Sequence, residues 1–167
     1  GPEELPHGIE LGGGTILISA FHVDHYQQMN PMPAQIFINM HVKDLAKSKV
    51  FFEKLGYHFN PQFTDDNAAC LVISETIYCM LLTTGHMNRF VPKGKTIADA
   101  TKTTETLLAL SFNSTDAVEE HYTKAIAAGA TECRPAEDHG SMYGRSFNDL
   151  DGHIWEAFWM DPSGMQQ

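Results

Sequence analysis

The carboxylate of Glu156 has the least expected surroundings of any in this sequence. It lies in "IWEAFWM" (154–160), a run of apolar and β-forming residues in which it is the only charged side chain. A carboxylate is seldom fully buried unless it is paired. Glu156 is therefore a candidate functional group or a member of a buried ion pair.

A partner for Glu156 is predicted from the preceding run, "SMYGRSFN" (141–148), which the turn "DLDG" joins to it. If this turn places Asp149 opposite Gly152, Arg145 lies opposite Glu156 and can form a bidentate pair with it. Such a pair is either purely structural or also a polar anchor for a small ligand. The predicted face carries Tyr143, Arg145, Phe147, Ile154, Glu156 and Phe158. Trp155 and Trp159 alternate to the other face, where they are expected to pack on a helix.

The elements that would position these residues occur twice. "QIFINMHV" (35–42) has the composition of a strand, and "KDLAKSKVFFEKLG" (43–56) that of an amphipathic helix capped by Asp44 and ended by Gly56. Three short extended runs follow, "YHFNPQFT", "AACLVIS" and "IYCMLLT". The same order returns in "TLLALSFN", the helix "STDAVEEHYTKAIAAG" and three further extended runs. The sequence predicts an α+β protein of two βαβββ modules that pack against each other.

Four segments follow from this pattern. Residues 34–84 and 105–160 are the predicted modules of one domain, and 85–104 connect them as a lid, a dimer contact or a partly mobile linker. Residues 1–28 start with Gly-Pro, contain three consecutive glycines and lack lysine and arginine. We expect them to be an artificial or weakly ordered leader.

Three stretches resemble the vicinal oxygen chelate superfamily, which includes glyoxalases, ring-cleaving dioxygenases and the fosfomycin and bleomycin resistance proteins. They are "VKDLAKSKVFFEKLGY" (42–57), the helix ending "AIAAGA" and the closing "DLDGHIWEAFW". The resemblance implies that the two modules form a curved mixed sheet, the cup, with the helices outside. It also implies a divalent metal held by up to four side chains on the first and last strands of the modules. The last of these positions falls on Glu156.

The other three implied metal positions fall on Phe37, Leu107 and Leu81 or an immediate neighbour, none of which offers a first-shell donor. One carboxylate does not hold a transition metal tightly, so we expect no metal cofactor. The alternative is a displaced site for Zn, Ni, Mn or Fe. It would use His41 on the strand face of Phe37 and Glu105 on that of Leu107, together with Glu156.

Alternation along the strands predicts a ligand pocket in this cup. It is lined by Phe37, Asn39, Tyr143, Arg145 and Phe158, together with Tyr78 or Cys79 and Met80 or Leu81 from the fourth strand. Few polar groups among aromatic ones suit a small, partly apolar or aromatic molecule. The leading hypothesis is a glyoxalase/bleomycin-resistance-like binding protein with a degenerate metal site. The alternatives are a metal-dependent lyase of the lactoylglutathione lyase type, with Glu156 as the catalytic residue, and a structural or regulatory module with a filled cup. A dioxygenase has less support, because it needs two histidines and a glutamate around iron.

Composition narrows the partners. A formal net charge of -10 without a basic run argues against nucleic acid. No run approaches the roughly 18 apolar residues of a membrane span. Three cysteines without a CxxC pair fit a reducing compartment, so we expect a cytoplasmic protein. The resemblance further implies a homodimer.

Overall fold

The computed structural model describes residues 32–163, and the predicted leader at 1–28 lies outside the described residues. Residues 33–161 form one unit that holds all the helices and strands given below. Between residues 32 and 163, no helix has both the length and the apolar character needed to cross a membrane.

The first module has the predicted βαβββ order. Its elements are β1 (Ile36–His41), α1 (Leu45–Lys54), β2 (His58–Asn60), β3 (Ala68–Val72) and β4 (Ile77–Leu82). The side chain of Asp44 accepts a hydrogen bond from the backbone N–H of Lys47 at 3.0 Å, as expected for the predicted helix cap. The helix buries Leu45, Ser48, Phe51 and Phe52, which form the apolar face of the predicted amphipathic helix.

One strand of the first module is shorter than predicted. The run "YHFNPQFT" forms a strand only as far as Asn60, and a 3-10 turn follows at Pro61–Phe63. Proline fixes its own φ and cannot donate to a strand ladder, so it favours the start of a turn. The Asn60 side chain completes this turn by accepting from the backbone N–H of Gln62 at 3.0 Å.

The second module repeats the order after a short helix, α2 (Thr84–Met87), in the connecting segment. Its elements are β5 (Leu107–Ser111), α3 (Thr115–Ala127), β6 (Thr131–Asp138), β7 (Met142–Asn148) and β8 (Ile154–Met160). Ser114 caps α3 by accepting from the backbone N–H of Ala117 at 3.1 Å.

Each module forms its own four-stranded mixed sheet, and the two sheets have equivalent strand orders. The orders are β1-β4-β3-β2 and β5-β8-β7-β6. The first and last strands of each module pair in parallel, and the other pairs are antiparallel. The predicted fold class, α+β with two βαβββ modules, is confirmed.

One hydrophobic core joins the two modules on the helix side of the sheets. The Phe52 ring on α1 lies 5.3 Å from the Trp155 ring on β8, and the Phe51 ring lies 6.4 Å from that of Phe147 on β7. All four side chains are at most 2% exposed. The helix of the first module therefore packs against the sheet of the second, and burial of these aromatic rings stabilises both.

Polar contacts at the turn before β8 also join the modules. Asp151 accepts from the backbone N–H of Lys43 at 2.8 Å and from the Ser48 hydroxyl at 3.4 Å. At Gly152, with φ +92°, an added Cβ would lie 2.9 Å from the backbone of the connecting segment at Ala100 and Thr101. Only glycine fits this close approach, so the turn of the predicted "DLDG" motif is also where the connecting segment packs.

Candidate ligand-binding site

The register between β7 and β8 differs by one residue from the predicted one. Ser146 lies opposite Glu156, and Arg145 lies opposite Ala157. The loop between the strands is longer than assumed, because Asn148 pairs with Ile154 rather than His153. A shift of one residue exchanges the two faces of a strand, so β7 presents the side chains of the other parity.

The prediction that Arg145 pairs with Glu156 is therefore wrong. Arg145 Nη1 donates to Glu119 on α3 at 3.0 and 3.3 Å, and its guanidinium lies 3.6 Å from the centre of the Tyr122 ring. Tyr143 shares this helix-facing side and donates its hydroxyl to Glu119 at 2.5 Å. Both residues, predicted to line the cup, belong to a polar network between the sheet and α3.

Glu156 is paired with a different arginine. Arg134 on β6 donates from Nη2 to Glu156 and from Nε to Glu137 at 3.2 Å. Arg134 pairs with Ser146 across the strands, and Ser146 pairs with Glu156, so the three residues form one row across the sheet. The Glu156 hydrogen bond, followed by that of Glu137, raises the pKa of Arg134 above its ordinary value. Glu156 thus forms an ion pair with Arg134 on the edge strand β6 and not with the predicted Arg145.

A cavity of about 210 Å³ lies beside this pair on the side of the sheet away from the helices. Apolar groups form most of its wall: Ala109, Pro135, Met142, Phe158 and Met160. Ser146 also lines it, is only 2% exposed, and its Oγ makes no hydrogen bond with any residue of 32–163. We call Arg134, Ser146, Glu156 and Phe158 the second open face.

The first module presents a different surface on its corresponding side. Phe37 pairs with Tyr78 and Asn39 with Met80 across β1 and β4, so these four predicted residues share one face. The rings of Phe37 and Tyr78 are stacked, with centroids 4.8 Å apart and planes inclined by 12°. Phe37 is 46% exposed. We call these four residues the first open face.

The cavity beside Glu156 does not include the first open face. It is lined by residues of the second module alone, and Phe37, Asn39, Tyr78 and Met80 are not among them. The predicted residues Phe37, Asn39, Tyr78 and Met80 thus form one group and Glu156 and Phe158 another. Arg145 also borders the cavity beside Glu156, while its guanidinium binds Glu119, and Tyr143 does not line this cavity.

The donor set does not fit the metal that the resemblance implies. Phe37 and Leu107 supply only carbon atoms, and Leu81 is fully buried in the core. The neighbours of Leu81, Met80 and Leu82, supply no oxygen or nitrogen donor. The carboxylate of Glu156 is engaged by Arg134. Residues 32–163 contain no group of three or more His, Cys, Asp or Glu side chains placed to hold a metal ion.

The residues of the alternative metal site lie apart from one another. His41 and Glu105 line a cleft between the modules, whereas Glu156 lines the cavity of the second open face. His41 Nε2 is 2.7 Å from the Thr84 hydroxyl. Burial, the largest influence on this imidazole, lowers the pKa of His41 below its usual 6.5.

The sequence did not predict the roles of four residues: Arg134, Ser146, Asp149 and Asp151. Asp149 is buried and accepts hydrogen bonds from the Trp155 indole at 3.0 Å and from the backbone N–H groups of Asp151 and His153. Burial raises the pKa of its carboxyl group. The two aspartates of "DLDG" could have indicated these roles. Asp149 stabilises the turn, and Asp151 forms the contact with the first module.

Comparison with known proteins supports the resemblance. Residues 35–74 match a family model described as "Bleomycin resistance protein-like N-terminal". A search of curated proteins finds no match.

Solved structures match over most of the chain. A hypothetical protein from S. aureus is 25% identical, with a TM-score of 0.65 over 80% of this chain and 98% of that one. A glyoxalase-related enzyme from Fulvimarina pelagi is 22% identical, with a TM-score of 0.63 over 75% and 87%. A fosfomycin resistance protein, FosX, from Listeria monocytogenes is 17% identical, with a TM-score of 0.56 over 79% and 97%.

Proposed function

Starting from a chain that has the fold of the vicinal oxygen chelate superfamily, we propose that it binds a small, partly apolar or aromatic molecule at a degenerate metal site. The bound molecule lies against the second open face, and the protein acts as a cytoplasmic homodimer. The match of residues 35–74 to a bleomycin resistance protein-like family model supports this proposal, and the proposed binding requires no metal.

The observation that carries the proposal is the unpaired hydroxyl of Ser146 beside the Arg134–Glu156 pair. A buried polar group without a partner costs about 1–3 kcal/mol. A ligand that supplies a hydrogen bond to Ser146 recovers this cost, and Phe158 with its apolar neighbours in the cavity wall covers the rest of the molecule. The ligand class is therefore apolar or aromatic with one or two polar atoms.

The role of Glu156 follows from its partner. Arg134 holds the Glu156 carboxylate in place and neutralises its charge, and Glu156 in turn orients the guanidinium. The pair forms the polar end of the proposed site. A glyoxalase-like lyase needs several metal ligands, and the residues at those positions do not supply them. No catalytic step is assigned to this site.

The homodimer is supported by the exposed apolar side chains of the two sheets. Ile36, Phe37 and Leu107 are 52%, 46% and 49% exposed. A two-fold arrangement places the first open face of one copy over the second open face of its partner, and the reverse contact forms at the same time. Each cup then combines the stacked Phe37 and Tyr78 rings of one copy with the Arg134–Glu156 pair of the other.

Ligand-observed NMR with a library of flat aromatic fragments tests the proposal. We expect some fragments to bind wild-type protein saturably and to bind Phe158→Ala more weakly, because this substitution removes an apolar part of the wall. Tyr143→Phe is the matched control, since it alters an aromatic side chain on the helix-facing side of the same sheet. Fragments that bind wild type and Phe158→Ala equally, or a library without a binder, would refute the proposed site.

A further inference from the structure

Gly144 leaves a gap among the side chains on the open side of the second sheet. Its partners across the strands are Glu137 on β6 and Phe158 on β8. Side chains alternate along a strand, so a Cβ at this position would lie on the same side of the sheet as that of Ser146, two residues on. Because Gly144 has no side chain, its backbone forms part of the wall of the cavity beside Glu156.

Neither backbone conformation nor close packing requires a glycine at position 144. Gly144 is not among the glycines with a positive φ. An added Cβ would lie 3.7 Å from the backbone oxygen of Ala157 and 3.9 Å from the Cβ of Phe158, which is ordinary van der Waals contact. A glycine inside a strand weakens it and often marks a site where a ligand closely approaches the backbone. The gap therefore indicates a ligand contact and not a constraint of the fold.

The space above Gly144 has the size of one aromatic ring. The cavity has a volume of about 210 Å³, and a cavity of about 150 Å³ is enough for benzene. Phe158 and Met142 border it with apolar groups, and an aromatic ring packs well in offset or edge contact with Phe158. The cavity therefore has room for one ring with a short substituent.

Two polar side chains in the next row of the same face each have an atom free to bind that substituent. The buried Ser146 hydroxyl makes no hydrogen bond with residues 32–163, and the hydrogen bonds of Glu156 with these residues use only Oε1. Ser146 and Glu156 are direct partners across β7 and β8, so their Cβ atoms are about 5 Å apart. A hydroxyl can donate, whereas a carboxylate oxygen only accepts. A group that offers C=O to Ser146 and N–H to Glu156 satisfies both.

Spacing and charge define this group further. Gly144 and Ser146 are two residues apart, or about 6.7 Å along a strand, of which a hydrogen bond takes about 2.9 Å. The remainder of about 4 Å matches a polar atom whose group is bonded directly to the ring. Arg134 is paired with both Glu137 and Glu156, which leaves an excess of one negative charge. This excess disfavours a carboxylate and favours a neutral amide.

We propose that the cavity of the second open face binds a monocyclic aromatic carboxamide, with its ring on the backbone of Gly144 beside Phe158. The amide oxygen accepts from the Ser146 hydroxyl, and an amide N–H donates to Oε2 of Glu156. This inference rests on the proposed function, because it identifies the ligand of the same cavity. It makes Gly144 the residue that determines the size of the ligand.

Benzamide is the probe for this proposal, and benzoate is its charged counterpart of nearly equal size. Titration of the full chain is followed by amide chemical shifts in ¹H–¹⁵N NMR spectra. We expect benzamide to shift the signals of residues 144–146 and 156–158 saturably. It should bind at least tenfold more tightly than benzoate, as one hydrogen bond to a charged group allows. Equal binding of benzamide and benzoate would overturn the proposal.

Gly144→Val should weaken benzamide at least tenfold, because the added methyl groups occupy the space of the ring. Valine is favoured in strands, so the variant should fold, which circular dichroism checks. Gly85→Val is the matched control, since Gly85 on α2 also has open space at an added Cβ and does not line the cavity. Ser146→Ala should weaken benzamide about fivefold and tests the amide contact independently of Gly144.

This inference and the proposed function fail in different ways. If aromatic fragments bind wild type and bind Phe158→Ala more weakly, while Gly144→Val and Ser146→Ala bind benzamide as wild type does, the inference is wrong and the proposed function stands. If no aromatic fragment binds wild type saturably, both are wrong.

Discussion

The open faces of the two modules have the same architecture and different chemistry. In both sheets the first strand of the module lies at the edge and pairs in parallel with the last strand. The first module places the stacked rings of Phe37 and Tyr78 there, whereas the second places Ala109 beside Glu156, which Arg134 engages. The backbone determines which side chains share a face, and the side chains determine whether that face stacks on a ring or holds a charge.

The two modules differ on these faces but share one hydrophobic core. A substitution at Trp155 measures how much this core contributes to stability. Trp155→Ala removes a fully buried ring that packs on Phe52 of the other module. We expect the free energy of unfolding to fall by about 3–5 kcal/mol. Urea denaturation followed by circular dichroism measures it, and Trp159→Ala, in a partly exposed position, should cost less. Two separate transitions in wild-type protein would contradict a shared core.

A histidine between the modules should make stability depend on pH. Tyr57 of the first module lies 2.8 Å from Nε2 of His121 on α3, and burial lowers the pKa of His121 to about 4 from 6.5. Between these values the unfolded chain binds a proton that the folded protein does not. Stability from this group is full above pH 6.5 and is lost as the pH falls towards 4, by up to about 3 kcal/mol.

Urea unfolding at several pH values measures this slope for wild type and His121→Gln. The raised pKa of Asp149 acts in the opposite direction at acid pH but is present in both proteins, so their difference isolates His121. A variant with the same slope as wild type between pH 6.5 and 4 would show that His121 is not the group responsible.

Arg145 and Arg134 lie on opposite faces of the second sheet, and their substitutions compare the contribution of each face to stability. The Arg145 side chain is 16% exposed and lies between Glu119 and Glu132, so Arg145→Gln should lower the free energy of unfolding by about 1–2 kcal/mol. The Arg134 side chain is 40% exposed, so Arg134→Gln should lower it by less than about 1 kcal/mol. Thermal unfolding of both variants checks the order. The reverse order would contradict the assignment of Arg145 to the more buried polar network with Glu119.

The smallest effect on stability is expected at the first open face. Phe37→Ala alters a half-exposed ring, so we expect a change of at most about 0.5 kcal/mol in the unfolding of the single chain. The same substitution should weaken the proposed homodimer, because the proposed arrangement puts Phe37 in the contact between copies. Sedimentation equilibrium at several concentrations measures both proteins. If the dimer dissociation constant is unchanged, or if the wild-type protein is monomeric at all concentrations, Phe37 does not lie in an interface between copies.

Much of the fold could be predicted because it depends on local signals. Asp44 caps the first helix as its sequence context predicts, and alternation along β1 placed Phe37 and Asn39 on one face. For β4 the sequence left two faces open, and the structure has Tyr78 and Met80 on the face of Phe37. Glu156 was likewise expected to point away from the helices. Period-two alternation within a single strand was enough for these positions.

The partners of Glu156 could not be predicted because they depend on register between strands. Hydrogen bonds from the backbone N–H groups of Asp151 and His153 to the Asp149 side chain stabilise a loop that is longer than the assumed turn. The longer loop shifts the register by one residue, so the two faces of β7 are exchanged. The pairing of β6 with β7 is also irregular between Glu132 and Arg134 and between Arg134 and Glu137. Such bulges break the alternation, so Arg134 could not be placed by counting residues.

The central claim is that Glu156 serves as the partner of Arg134 and not as a metal ligand. The most direct test is ICP mass spectrometry of the protein after exposure to Zn²⁺, Ni²⁺, Mn²⁺ and Fe²⁺ and gel filtration, with Glu156→Gln treated in parallel. The claim predicts that wild type retains no more metal than the variant. A wild-type chain that retains close to one metal ion, lost in Glu156→Gln, would contradict it.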